Sequence, residues 1–325
     1  MDTHAELAGG LDAARDLSMT RLLPAPPEAV FAAWTEAERV RQWFGPYGMT
    51  VPVCEIALHP GGTHRTVMRA ADGTDYPNRM VIEAIEPGRG LRLSIPEGGE
   101  GPPLAGAVAD IRFLPDAVGT RLAVRWRHPT PGMRAAHEAM GFTTGWGQTL
   151  DRLAAHLMAP PPGAPFPVAP LPHHGWLTRL LGAWRYESEC EGPPGQPPMR
   201  ASGVEHVRML GSFWVIGESE GACPGGGGLA RMVVTMGADP GTGRFRGTFV
   251  GSMMPWMFVY DGALDEAAQT LALDTEGPAM IGEGTARYRD SVTMQGDAVR
   301  LLGSEVQRPD GTWHRFMTGR YERMD

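Results

Sequence analysis

Residues 140–157 read MGFTTGWGQTLDRLAAHL, and residues 20–46 read TRLLPAPPEAVFAAWTEAERVRQWFGP. In the first stretch Phe142, Trp146, Leu150, Leu153 and Leu157 recur at spacings of 4, 4, 3 and 4. That is one apolar stripe along a helix. In the second, Pro26 and Pro27 open a helical pattern at a position where a missing N–H does no harm. Val30, Phe31 and Trp34 supply its buried face. Between the two lie short alternating runs at about 49–58, 63–69, 76–86, 90–95, 106–114 and 119–128. Pro60-Gly61-Gly62, Asp72-Gly73 and Pro87-Gly88 punctuate them as turns. A strand, a short helix, a curved antiparallel sheet and one closing amphipathic helix form a helix-grip. The fold expected for residues 17–158 is therefore α+β, with residues 1–16 a polar, Ala-rich, flexible extension.

The segment 159–172, APPPGAPFPVAPLP, is half proline and reads as a semi-rigid polyproline linker. Beyond it, from residue 173 to 325, turn signals recur about every ten residues. Examples are Asp239-Pro240-Gly241, Asp261-Gly262 and Pro309-Asp310-Gly311. Many short, evenly spaced strands predict an all-β antiparallel barrel.

Bulk composition excludes several classes. The 325 residues are 42% hydrophobic and 20% charged, as in a soluble two-domain protein. Fifteen Arg face 18 acids in residues 1–158, and 14 face 19 beyond, so neither half offers a basic stripe for nucleic acid. Every basic residue apart from the histidines is Arg, which removes a Schiff-base or phosphate-loop lysine from consideration. Cys54, Cys190 and Cys223 share no metal or redox spacing, and no export signal or membrane-spanning run is evident. The expected setting is the cytoplasm. No motif for a cofactor, a zinc or calcium site or a nucleophile elbow occurs.

Residues Ala25-Pro26-Pro27-Glu28-Ala29-Val30-Phe31, Arg41-Gln42-Trp43-Phe44-Gly45-Pro46, Pro60-Gly61-Gly62 and Gly145-Trp146 together resemble the activator of heat-shock protein 90 ATPase family. That family lies within the START-like polyketide-cyclase and lipid-transport superfamily, and the resemblance covers roughly residues 17–157. It implies a helix-grip fold, an apolar hollow under the last helix and, by the family name, a chaperone as partner. In the second half, Gly182-Ala183-Trp184 at the start and Arg320 at the end resemble the lipocalin and calycin signature. The resemblance implies that the Arg320 guanidinium packs over the Trp184 indole and closes the barrel's base. Residues 247–278 with 309–323 also look like a bacterial, lipocalin-like domain family of unknown function.

Strand parity then sorts the candidate residues. Leu122, Val124 and Trp126 share one face, opposite Arg121, Arg125 and Arg127. His64, Thr66 and Met68 share another, opposite Arg65 and Arg69. His64 is either a core histidine with one hydrogen bond or a polar group offered to an apolar hollow, its pKa lowered by desolvation. Glu83 is either a general acid–base group or a solvated partner of an arginine. Met68, Trp126, Phe142 and Trp146 either line the hollow or fill it. Met254 and Trp256, in a soft run of three methionines, either grip a ligand at the barrel mouth or fill the interior. Three functions follow as expectations: non-enzymatic binding of a small hydrophobic molecule, a chaperone cofactor, or a cyclase or dehydratase working through His64 or Glu83.

Overall fold

The structure is a computed structural model that describes residues 10–98, 104–160, 163, 168–192, 195–223, 228–280 and 283–324. The chain divides into two units, Met1–Thr178 and Arg179–Asp325, each with its own core. Part of the expected extension, most of the linker centre and residues 225–227 of the glycine tract lie outside the described residues.

The first unit is an antiparallel seven-stranded sheet with order β1-β7-β6-β5-β4-β3-β2. Its strands are β1 (Asp16–Leu23), β2 (Thr50–Ile56), β3 (Thr63–Arg69), β4 (Asp75–Glu86), β5 (Gly90–Ser94), β6 (Val108–Asp116) and β7 (Gly119–Arg127). The first strand pairs with the last of this sheet, Asp16 opposite Arg127 and Leu23 opposite Thr120. Two helices, α1 (Pro27–Thr35) and α2 (Ala37–Trp43), stand where one was expected. Glu36 between them is extended, and the Thr35 hydroxyl donates to the Phe31 carbonyl, competing with the helix ladder. The Trp43 indole N–H donates to the Ala33 carbonyl at 2.9 Å and holds the pair together.

The short helix α3 (Pro131–Ala139) precedes the long α4 (Phe142–Leu157). Gly141 separates them at φ +89°, a left-handed conformation that side chains disfavour. Leu150 and Leu153 are fully buried, whereas Trp146 and Leu157 lie at the margin of the core. The stripe is not purely apolar: Asp151 is 1% exposed and forms a buried ion pair with Arg21 of β1. Tyr47 Oη also donates to Asp151, at 2.9 Å. Helix α5 (Pro172–Leu177) packs on α4 so closely that a Cβ on Gly175 would overlap the Asp151 carbonyl. The second unit thus begins at Arg179, six residues later than expected, because Trp176 and Leu177 are buried in α5 rather than in a strand.

The second unit is a closed antiparallel barrel of ten strands. They are β8 (Gly182–Cys190), β9 (Met199–Leu210), β10 (Trp214–Ala222), β11 (Leu229–Ala238), β12 (Phe245–Gly251), β13 (Met257–Asp265), β14 (Thr270–Pro278), β15 (Thr285–Gln295), β16 (Val299–Gln307) and β17 (Trp313–Arg323). Strand β8 pairs with both β17 and β9, which removes every free edge.

The barrel base corrects one expectation. Trp184 is wholly buried and its N–H donates to the Leu180 carbonyl at 2.8 Å. The guanidinium over its ring belongs to Arg323, 4.2 Å from the ring centroid, with Arg300 at 4.7 Å. Arg320 instead lies on the outer face, half exposed, and pairs with Glu322 at 3.0 Å. Parity is the reason: Gly319, Tyr321 and Arg323 alternate inward along β17, so Arg320 and Glu322 point out. Arg323 also donates to the carbonyls of Arg179, Leu181 and Asp297, so it ties three chain segments at one point.

Candidate functional site

His64 sits on the inner face of β3, 3% exposed, with Thr66 two residues on at 0%. The imidazole is hydrogen-bonded to the Trp34 backbone, and its Nδ1 has no partner. Desolvation pushes its pKa down to about 4, so the ring is neutral near pH 7. Among the other buried polar atoms of this unit that lack a partner are Thr66 Oγ1, Trp34 Nε1 and Trp126 Nε1. Buried polar atoms are nearly always satisfied, and each that is not costs roughly 1–3 kcal/mol. These four, on neighbouring faces of one core, are groups whose hydrogen bonds the protein's own atoms do not complete.

Trp146 of α4 joins these groups. Its ring stacks on Trp34 with centroids 6.1 Å apart and planes at 9°. Phe44, Trp126 and Phe142 surround it at 6.3, 6.3 and 6.4 Å. Phe44 in turn stands 6.4 Å from the His64 ring. Met68 is half-buried and packs at the Gly45 turn, where a Cβ would meet its sulfur. The residues expected to line or fill the hollow are thus one aromatic cluster with polar atoms at its margins. On the α2 side, Trp34, Trp43 and Phe113 pack tightly and fill the space.

Arg152 on α4 fixes the loop beside Phe44. One of its guanidinium nitrogens donates to the carbonyls of Phe44, Gly45 and Pro46 at 3.1, 2.9 and 3.0 Å. With Tyr47, whose N–H donates to Gln148 and whose hydroxyl donates to Asp151, this side chain holds the Arg-Gln-Trp-Phe-Gly-Pro run and the closing helix in register.

Glu83 does not join His64. Strand β4 carries a bulge between Ile82 and Ala84, and Glu83 points to the exposed face, where the Ser94 hydroxyl donates to it. Met80 and Ile82 occupy the face that His64 uses. Alternation from Met80 and Ile82 puts Glu83 outward with Val81, and the bulge then turns Ile85 inward, so the two neighbours that flank Glu83 do not share a face. Sequence reading also missed His128 and His137. His128 Nδ1 is 2.8 Å from the Arg15 carbonyl, so it carries the proton there, and its Nε2 meets His137 Nδ1 at 2.9 Å. His137 packs against Trp126 and Phe142, at 5.5 and 4.8 Å. Its pKa is pushed down to about 4 by burial and by His128. No sequence signal joins a strand-end histidine to one on a half-exposed helix.

These histidines set a pH dependence. His64, His137 and His156 all have lowered folded-state pKa values, chiefly through desolvation. Below the unfolded value near 6.5, the unfolded chain takes up protons that the folded one refuses. Stability of the first unit is therefore full above about pH 6.5 and falls as pH drops towards 4. Melting temperatures from pH 8 to pH 4 check this: the His64→Phe variant should show a shallower decline than the natural protein.

At the barrel, Met254 and Trp256 lie in the connection between β12 and β13. Trp256 is 42% exposed and lines an open depression of about 370 Å³ with Met257, Val259, Asp274, Glu276 and Arg287. Most of that lining faces outward, so of the two alternatives expected for Trp256 it does not fill the barrel interior. Among the described residues, no group of three or more His, Cys, Asp or Glu could hold a metal, and no helix is long and apolar enough to cross a membrane.

Comparison with known proteins adds the following. Residues 24–158 match the family model "Activator of Hsp90 ATPase homolog 1-like protein", and residues 169–323 match "Protein of unknown function (DUF1579)". Among solved structures, the chain is similar to a protein from Nitrosomonas europaea at 33% identity, covering 45% of this chain and 96% of that one, with a TM-score of 0.42. A protein from Rhodobacter sphaeroides is 27% identical, covering 46% and 96%, with a TM-score of 0.42. An AHSA1 protein from Silicibacter pomeroyi is 26% identical, covering 44% and 96%, with a TM-score of 0.34. No curated protein matches.

Proposed function

We propose, for a chain whose residues 24–158 belong to the activator of Hsp90 ATPase homolog 1-like family and whose residues 169–323 belong to the family of unknown function DUF1579, that the first domain binds a small hydrophobic molecule with a polar end. The observation that carries this reading is the set of unpartnered atoms around the aromatic cluster: His64 Nδ1, Thr66 Oγ1, Trp34 Nε1 and Trp126 Nε1. A ligand with an apolar body stacks on Trp146, and its hydroxyl or carbonyl groups meet atoms that the fold leaves open. Neutral His64 accepts a hydrogen bond at Nδ1, the indoles donate, and Thr66 does either. The reading is non-enzymatic, since His64 and Glu83 occupy opposite faces and form no acid–base pair. Its setting would be the cytoplasm.

The test separates stability from binding. Thr66→Val removes an orphaned hydroxyl at nearly constant shape, so the ligand-free protein should gain about 1 kcal/mol. The same change should weaken ligand binding by roughly tenfold. Denaturation curves and titrations with medium-chain fatty acids and aromatic polyketides read the two effects. Unchanged affinity in Thr66→Val and His64→Phe, or no binding by any of the panel, would end the proposal. The family description favours a second reading, a cofactor of the Hsp90 ATPase, and an ATPase assay with the host's own chaperone tests it directly.

A further inference from the structure

The barrel interior holds a carboxyl group that no cation of its own walls answers, and burial pushes its pKa up. Along β15, Tyr288, Asp290 and Val292 alternate inward, and Asp290 accepts a hydrogen bond from Tyr260 Oη at 2.5 Å. The Ser304 hydroxyl on the next strand also bonds it. Among the described residues no arginine or histidine pairs with Asp290. Of the inward arginines, Arg300 is matched with Glu205 in a buried ion pair and lies against Trp184 and Tyr321, and Arg323 is spent on three carbonyls at the base. Beside Tyr260, the Thr275 hydroxyl is buried on the inner face and has no partner.

Several inward-facing residues also keep accessible surface. Asp290 and Tyr321 are deep enough for desolvation to dominate their titration, yet both keep accessible surface. Val234, Phe249, Phe258 and Leu302 point inward by register and are likewise only half-buried. Inward side chains of a closed barrel keep accessible surface through the space within it and through its open ends. Phe249, Phe258 and Tyr288 form a chain of rings at 6.2 and 6.0 Å along one side of that space.

We propose that this space binds a small molecule bearing a protonated amine on an apolar body, with the Asp290 carboxylate as its counter-charge. An isolated buried carboxylate is costly, and hydroxyl donors offset only part of that cost. A bound ammonium supplies the missing positive charge, the Thr275 hydroxyl accepts from it, and the aromatic wall favours both the cation and the chain that carries it. The first domain's ligand plays no part in this inference.

Calorimetric titration of the full chain with 1-aminooctane and 1-octanol at pH 7.5 tests it, since the two probes share a body and differ in charge. The amine should bind at least about tenfold more tightly than the alcohol, as expected for a charge-assisted bond in a desolvated site. Asp290→Asn should erase that difference and leave alcohol binding in place, whereas Arg320→Ala on the barrel's outer face should leave the difference intact. Equal affinities in the natural protein, an amine preference that survives Asp290→Asn, or no amine binding at millimolar concentration overturns the assignment.

Discussion

Asp151→Ala should destabilise the first domain by about 3–5 kcal/mol, the cost of leaving one partner of a buried ion pair without its counter-charge. Arg21 is 3% exposed and cannot recover water when the carboxylate is lost. Tyr47 loses the acceptor of its hydroxyl proton in the same step. The pair also sits where α4 meets β1 and where α5 closes over Asp151, so the damage reaches three elements. The double variant Arg21→Met, Asp151→Leu should recover most of the loss, because a well-packed apolar pair removes both desolvation costs. Differential scanning calorimetry of the full chain, following the transition of the first domain, reads both values. A loss under 1 kcal/mol in Asp151→Ala would mean the pair is not buried as described.

Trp184→Ala should destabilise the barrel by about 3–5 kcal/mol, through the cavity left by a fully buried indole. Two guanidinium groups lose their aromatic face, and the Leu180 carbonyl loses its donor. The two terminal arginines separate sharply. Arg323→Ala breaks hydrogen bonds to three carbonyls and uncovers Trp184, and should cost about 2 kcal/mol or more. Arg320→Ala removes only an exposed pair with Glu322 and should fall within about 0.5 kcal/mol of the natural protein. Urea denaturation followed by near-ultraviolet circular dichroism distinguishes them. A larger effect at Arg320 than at Arg323 would reverse the assignment of the barrel's base.

The architecture was legible because its signals are periodic. Each strand expected in the first half lies within about two residues of an observed one, from Thr50–Ile56 to Gly119–Arg127. Parity correctly grouped His64 with Thr66 and Leu122 with Val124 and Trp126. It failed where period two is broken or shared. The bulge in β4 put Val81 and Ile85 on different faces, so Glu83 follows only the first, and Arg320 and Arg323, three apart, fall on opposite faces of one strand. Helix α3 was hidden because Pro131-Gly132 reads as a turn and none of its residues is buried. Asp151 was hidden inside an apolar stripe, since nothing local reveals that Arg21, 130 residues earlier, comes to meet it. The chemistry was less legible still. The unpartnered indoles and the isolated Asp290 are defined by what lies around them after folding, which no spacing along the chain records.

Native mass spectrometry of the full chain, isolated without denaturation from the cells that make it, addresses the ligand proposal most directly. The expected spectrum contains a population heavier than the polypeptide by one small molecule, released in organic solvent and lost in the His64→Phe variant. A spectrum of bare polypeptide alone, with aromatic polyketides and fatty acids failing to rebind, would contradict it.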